Sequence, residues 1–309
     1  MTQSFGRLAA LLMGALLLLA VPVYASYGGG SGGGRGDDRD NCNSSRDGGD
    51  HRGRDLDVIG VTEGGRLICF ESDDPRDAEK IGTIRGLTGD TRLVGIDYRP
   101  ATGNDGSRGV LYGLGDQGGV YTIDDGTAQA TKASQLSVAL TGQSFGVDFN
   151  PTVDRLRIIS DAGQNLRANV DTGATLVDTS LTYPGPPVVP GTGVTGAAYT
   201  NNDADPNTAT TLFDIDSALD QTVIQSPANS GQLAATGKLG VDTNATIGSD
   251  IYSTIRNGTT VDVAGFASLT VGGRSAFYEI DLLQGRATSN GVFSSRNQVT
   301  GIAIPLNQL

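Results

Sequence analysis

The phrase SFGVDFNP, residues 144–151, returns four more times in altered form: LVGIDYRP at 93–100, VTGAAYTN at 194–201, TIGSDIYS at 246–253 and VTGIAIPL at 299–306. Each copy sets a glycine just ahead of apolar or aromatic positions, at Gly95, Gly146, Gly196, Gly248 and Gly301. Successive glycines are 51, 50, 52 and 53 residues apart. A period of this length marks one supersecondary unit that cannot cover both of its faces alone, so the copies must stack side by side.

What fills the period decides the kind of unit. Runs such as GVLYGL, GVYTID, RLRIIS and TLFDID are short, rich in Val, Ile, Leu, Tyr and Thr, and bounded by turn residues. That pattern predicts strands, and about four of them fit each period, as in the blade of a β-propeller. After LVGIDY come GVLYGL, GVYTIDD and TAQATK; after SFGVDF come DRLRIIS, NLRANVD and ATLVD. VTGAAY is followed by TTLFDID, TVIQS and QLAATGKL, and TIGSDIYS by TTVDVAGFASL, SAFYEID and RATSNGVF. The start of the repeating region supplies DVIGVT, RLICFE and EKIGTI with no first strand before them, while VTGIAIPL is a first strand with nothing after it. Joining the two completes a blade and removes a free sheet edge. The expected fold is therefore all-β, a β-propeller of five four-stranded blades closed by the C-terminal strand.

The repeats occupy residues 56–309, and what precedes them has another character. Residues 1–25 combine an early cation, Arg7, with a thirteen-residue apolar run at 8–20 and the small-residue end VYA. This reads as a signal peptide, since the run is too short to span a bilayer. Residues 26–55 are dominated by Gly, Asp, Arg and Ser. Such a chain cannot bury enough apolar surface to offset its ordering entropy, so it reads as a tether, in which the RGD at 35–37 is a product of composition. The expectation is an exported protein, secreted, periplasmic or at the cell surface, with no membrane span after signal cleavage. A net charge of −12 opposes nucleic acid as a partner, because neutralising phosphates needs clustered Lys and Arg. Cys42 and Cys69 are the two cysteines. A bridge between them would staple the tether to the first strands; two free thiols or an intermolecular link through Cys42 are the other possibilities.

Several motifs suggest chemistry. GQSFG at 142–146 fits the G-x-S-x-G nucleophile pattern, but the single histidine, His51, lies in the tether, and the motif precedes no helix. GLGDQG at 113–118 fits a dinucleotide pattern, yet it leads into the strand GVYTIDD, so its glycines are expected in a hairpin turn. Two residues after each repeated glycine stand Asp97, Asp148, Ala198, Asp250 and Ala303. If the strands align, Asp97, Asp148 and Asp250 occupy equivalent places around the channel, where their oxygens would suit a hard cation such as Ca²⁺. The competing reading is that each accepts backbone hydrogen bonds or pairs with arginine, Asp148 with Arg155 or Arg157. The loop TNNDADPNTAT gathers Asn201, Asn202, Asp203, Asp205 and Asn207. It lacks the glycine and glutamate of an EF-hand, which leaves an Asx-rich turn or a looser cation site. Asp124, Asp171, Asp216 and Asp281, at strand ends, are expected to form turns.

The runs at 144–178 and 194–233, with GFASLTVGGRSAFYEIDLLQGRAT at 265–288, resemble the bacterial domain-of-unknown-function family numbered 4394 over nearly all of residues 57–306. The resemblance implies export and brings no activity, cofactor or catalytic residues with it. The expected function is a secreted, non-enzymatic propeller that presents loops to an unidentified extracytoplasmic ligand or protein, with no catalytic residues assigned. The alternative is a Ca²⁺-dependent hydrolase or lyase using Asp97, Asp148 and Asp250 in the channel.

Overall fold

The computed structural model describes residues 56–205 and 207–308. The expected signal peptide and tether, and Cys42, lie outside these residues. Five four-stranded antiparallel sheets form a five-bladed β-propeller. Blade one pairs Asp57–Thr62, Arg66–Glu71 and Asp74–Thr83 with an innermost strand from the far end of the sequence, Val299–Ala303. Val61 lies opposite Gly301 and Ile59 opposite Ala303, so the ring closes as the orphan first strand requires. Blades two to five begin with Leu93–Arg99, Phe145–Asn150, Val194–Tyr199 and Thr243–Arg256. Their remaining strands fall where the expected runs lie, with two additions. A small hairpin of Thr182–Tyr183 and Val189–Pro190 sits between blades three and four in the sequence. In blade five the first two strands, Thr243–Arg256 and Thr259–Val271, run to 14 and 13 residues and continue past the expected strand ends.

The core is divided among the blade seams, as it must be when each blade is covered only by its neighbours. Leu93, Ile96 and Tyr98 meet Ile59, Val61 and Leu67 between blades one and two. Leu114 and Tyr112 meet Phe149 and Ile158 between blades two and three. The closing seam, between blades five and one, is the most aromatic. Phe70 stands edge-on to Phe277 and to Phe293, with ring centroids 5.0 Å apart in each case. Each such buried ring stabilises the seam by about 1.5–3 kcal/mol, where the chain passes from Ala287–Val292 of blade five directly into Val299–Ala303 of blade one.

The repeated glycines are explained by the neck of the ring. A Cβ on Gly248 would lie 2.5 Å from Cα of Gly301, and one on Gly146 would lie 2.7 Å from the backbone N of Ala197. One on Gly95 would meet Val147 at 2.5 Å. With only five blades the innermost strands crowd the axis, and the backbone of one blade rests on that of the next where a side chain would stand. The register also shifts beside Gly95 and Gly196, a bulge that re-aims the following residues.

The misleading motifs resolve as expected. GLGDQG forms the turn between Val110–Gly115 and Gly119–Asp124, with the Gly118 N–H donating to Gly115 O at 2.9 Å. Ser144 of GQSFG precedes the innermost strand of blade three and leads into no helix. Cys69 is buried in the third strand of blade one; its proposed partner Cys42 is outside the described residues.

Candidate metal centre in the channel

The strand alignment brings Asp97, Asp148 and Asp250 together. All three are buried, and one carboxylate oxygen from each lies within 4.8 Å of the others. They line a cavity of about 20 Å³ at one end of the channel, together with Tyr98, Pro100, Phe149, Tyr199, Asn201, Asn202, Ile251, Ile304 and Leu306. A space of this size admits one water or one bare ion.

The hydrogen bonds around this cup form a circuit. The residue after each aspartate position, Tyr98, Phe149, Tyr199, Ile251 and Ile304, turns its N–H towards a carboxylate. Asp97 Oδ2 accepts from Phe149 N at 2.7 Å, Asp148 Oδ1 from Tyr199 N at 3.0 Å, and Asp250 Oδ2 from Ile304 N at 2.6 Å. In each case the aspartate of one blade holds the backbone of the next. Two blades carry alanine at the position, Ala198 and Ala303. The N–H that each of them leaves unclaimed, on Ile251 and Tyr98, is taken by the aspartate on its own blade. Ile251 N donates to Asp250 Oδ1 at 2.6 Å and Tyr98 N to Asp97 Oδ1 at 2.7 Å. Three aspartates thus satisfy five amides, and among the described residues no amide donates to Asp148 Oδ2.

The competing readings of the aspartates, backbone acceptor and cation ligand, are therefore compatible: the amides use five of six oxygens, each carboxylate oxygen has a second lone pair, and the same three side chains line the cavity. The amides do not neutralise the carboxylates. Burial, then the charge of Asp250, holds the Asp97 carboxyl well above its ordinary range. Burial, then Asp97 and Asp250, does the same for Asp148. Burial pushes Asp250 up to about 7. The cup gathers buried like charges with no cationic side chain among the described residues that line it, and a divalent cation would supply the missing positive charge.

Asp214, in the second strand of blade four, adds to this field, and no sequence signal singled it out. It is fully buried, neither of its oxygens has a hydrogen-bond partner among the described residues, and its charge acts on Asp148. Burial raises its carboxyl well above the ordinary range, with Arg157 pulling the other way.

The proposed pairing of Asp148 with Arg155 or Arg157 is not found. Arg157 stands directly opposite Asp148 in the sheet, but its long side chain runs outward. It meets Asp178 at 2.7 Å, Asn165 at 2.7 Å and, across the seam, Asn229 at 2.7 Å and the Tyr199 hydroxyl at 3.2 Å. The side chain of Arg155 donates to the carbonyls of Val153 and Asp154, and Arg167 shares Asp178. Of the turn-forming aspartates, Asp124, Asp216 and Asp281 each accept two amides from the following turn. Asp171 differs. Asn169 serves that turn, and Asp171 pairs with Arg99 of blade two at 2.7 Å. Arg99 also grips Asp154 with two nitrogens at 2.8 and 2.6 Å, which makes it the ionic clamp of the second seam.

The TNNDADPNTAT loop is a chain of Asx turns: Asn201 Oδ1 accepts Asp203 N, Asp203 Oδ1 accepts Asp205 N, and Asp205 Oδ1 accepts Asn207 N. Its two leading asparagines, Asn201 and Asn202, nonetheless reach the cup. Asn201 N donates to Ser253 Oγ at 2.7 Å and Asn202 Oδ1 accepts Ser253 N at 3.0 Å, fixing the blade-four lip to blade five.

A family model described as Domain of unknown function (DUF4394) matches residues 66–303. No curated protein matches. Among solved structures, a structural genomics protein of unknown function from Bacteroides thetaiotaomicron is 15% identical with a TM-score of 0.41, covering 78% of this chain and 59% of its own. An auxiliary nutrient binding protein from Bacteroides ovatus is 13% identical with a TM-score of 0.40, covering 76% and 57%. BamB from Moraxella catarrhalis is 12% identical with a TM-score of 0.32, covering 75% and 57%. The matched region spans less than two thirds of each of these chains.

Proposed function

Because the chain belongs to the DUF4394 family, whose description carries no activity, we propose from its geometry that it is an exported, non-enzymatic binding propeller with a divalent cation, Ca²⁺ by its ligand chemistry, in the axial cup. The observation that carries this reading is the convergence of Asp97, Asp148 and Asp250 on one cavity. All three donors are hard carboxylate oxygens, which favour Ca²⁺ or Mg²⁺ over softer metals. The surrounding lip is uneven. It is built from Pro100, Asn201, Asn202 and Leu306, which belong to connections of different length, and blade five contributes strands of 14 and 13 residues. Uneven loops on a rigid ring are where recognition residues accumulate. The partner is an extracytoplasmic small ligand or protein that reaches this lip.

Thermal melts with and without a chelator test the reading. At a free Ca²⁺ concentration about 100 times the dissociation constant, binding to the folded state alone adds about 2.7 kcal/mol. For a domain of this size that raises Tm by roughly 5–10 °C. Identical melts with chelator and with millimolar Ca²⁺ would remove the cation from the proposal.

A further inference from the structure

Residues 304–308 leave the innermost strand of blade one and lie along the lip of the cup. Ile304 and Leu306 line the cavity itself. The segment is tied to three blades. Leu306 N donates to Arg108 O at 3.0 Å, and the Leu306 side chain occupies the space a Cβ would need on Gly103 or Gly109, at 2.5 and 2.8 Å. Asn307 Nδ2 donates to Gly103 O at 2.9 Å and Ser107 O at 2.6 Å, in the long connection of blade two. Gln308 N donates to the Tyr252 hydroxyl of blade five at 2.8 Å. The Gln308 amide also brackets the backbone of Asp57 in blade one, accepting from its N–H at 2.7 Å and donating to its carbonyl at 3.1 Å.

These attachments contrast with those of the opposite lip. Both lips carry an asparagine with a left-handed φ, but Asn201 is buried at 3% exposure and bonded to Ser253, whereas Asn307 is exposed. Three of the strap's ties are single side-chain amides or a hydroxyl, and it has no ladder partner. The other end of the channel is the glycine neck, where Gly248 and Gly301 are in backbone contact and the cavity is about 10 Å³. A bare ion therefore has its path on the strap side.

We propose that residues 304–308 form a strap that gates the cup, closed by the Asn307 and Gln308 side chains and opened by their release. The inference rests on the reading of the cup as a cation site for its purpose, though not for its geometry. Opening swings Leu306 off Gly103 and Gly109 and exposes the cavity, while Ile304 stays bonded to Asp250 and the ligand set is kept.

The test is the double variant Asn307→Ala with Gln308→Ala, compared with the native chain. Amide hydrogen exchange in the ion-free protein reads the gate directly. The expected result is exchange at least about tenfold faster at Phe149 and Tyr199, whose N–H groups face the cup, with the blade-four strand Gln221–Gln225 unchanged. Unchanged exchange at Phe149 and Tyr199, or a uniform rise in every blade, overturns the gate. Stopped-flow release of Tb³⁺ into chelator is the second readout, expected at least about tenfold faster in the variant. Release at the native rate also overturns the gate. A native protein that takes no Tb³⁺ counts against the cation proposal alone, and the exchange experiment still decides the strap.

Discussion

Asp250 accepts the amide N–H of Ile304 at 2.6 Å, and through that bond blade five holds the strand that closes the ring. The same carboxylate accepts Ile251 N at 2.6 Å. The residues proposed to bind a cation are therefore also the residues that fasten neighbouring blades, and the two roles draw on different lone pairs of the same carboxylate oxygens.

Removing the aspartates should destabilise the ring in proportion to the amides each one serves. Asp250→Ala and Asp97→Ala each strand two buried donors, while Asp148→Ala strands one. At about 1–3 kcal/mol per buried unpaired donor, the first two should lose roughly 2–5 kcal/mol and the third roughly half as much. Urea unfolding of the chelated variants checks the order; an Asp148 variant that loses more than the other two would refute the circuit.

The neck should resist even one methyl group. Gly248→Ala places a Cβ 2.5 Å from Gly301 Cα, backbone against backbone, whereas Gly301→Ala meets the Val61 side chain at 3.0 Å and can be accommodated by a small shift. The expected costs are about 3 kcal/mol or more for the first and under about 1.5 kcal/mol for the second, measured by thermal unfolding.

Stability of the chelated protein should fall as pH rises. Asp97, Asp148, Asp214 and Asp250 all have carboxyls raised in the folded state, Asp250 to about 7. The folded state then binds protons more tightly than the unfolded chain, whose carboxyls titrate at about 3.9. Their contribution is complete below that value and is lost as pH climbs through 7 and beyond. Asp171, held low by Arg99, works in the opposite direction at acid pH. Melts from pH 5 to pH 9 in chelator should show a declining Tm, and saturating Ca²⁺ should flatten the decline; a Tm that rises over this range would contradict it.

Much of this was legible in the chain. A glycine every 50 or so residues marked the blade count and the closure, because the innermost strands crowd one another at the neck, backbone against backbone at Gly146 and Gly248 and against side chains at Gly95, Gly196 and Gly301. The aspartates two residues further on could be aligned for the same reason. Contacts made by long side chains were not legible. Arg99 finds Asp154 and Asp171 from 55 and 72 residues away, and Arg157 turns from the aspartate directly opposite towards Asp178 and Asn229. Such choices depend on how two finished blades meet, which no local pattern records. Asp214 was silent for a related reason. It stands beside Ile215 in an ordinary strand, and only the ring places its charge near Asp148.

Calorimetric titration of chelator-stripped protein with Ca²⁺ tests the central claim most directly. One ion per chain, with binding lost in Asp97→Asn and Asp148→Asn variants that remain folded, is the result this geometry predicts. No binding heat in the native protein, or binding that both variants retain, would contradict it.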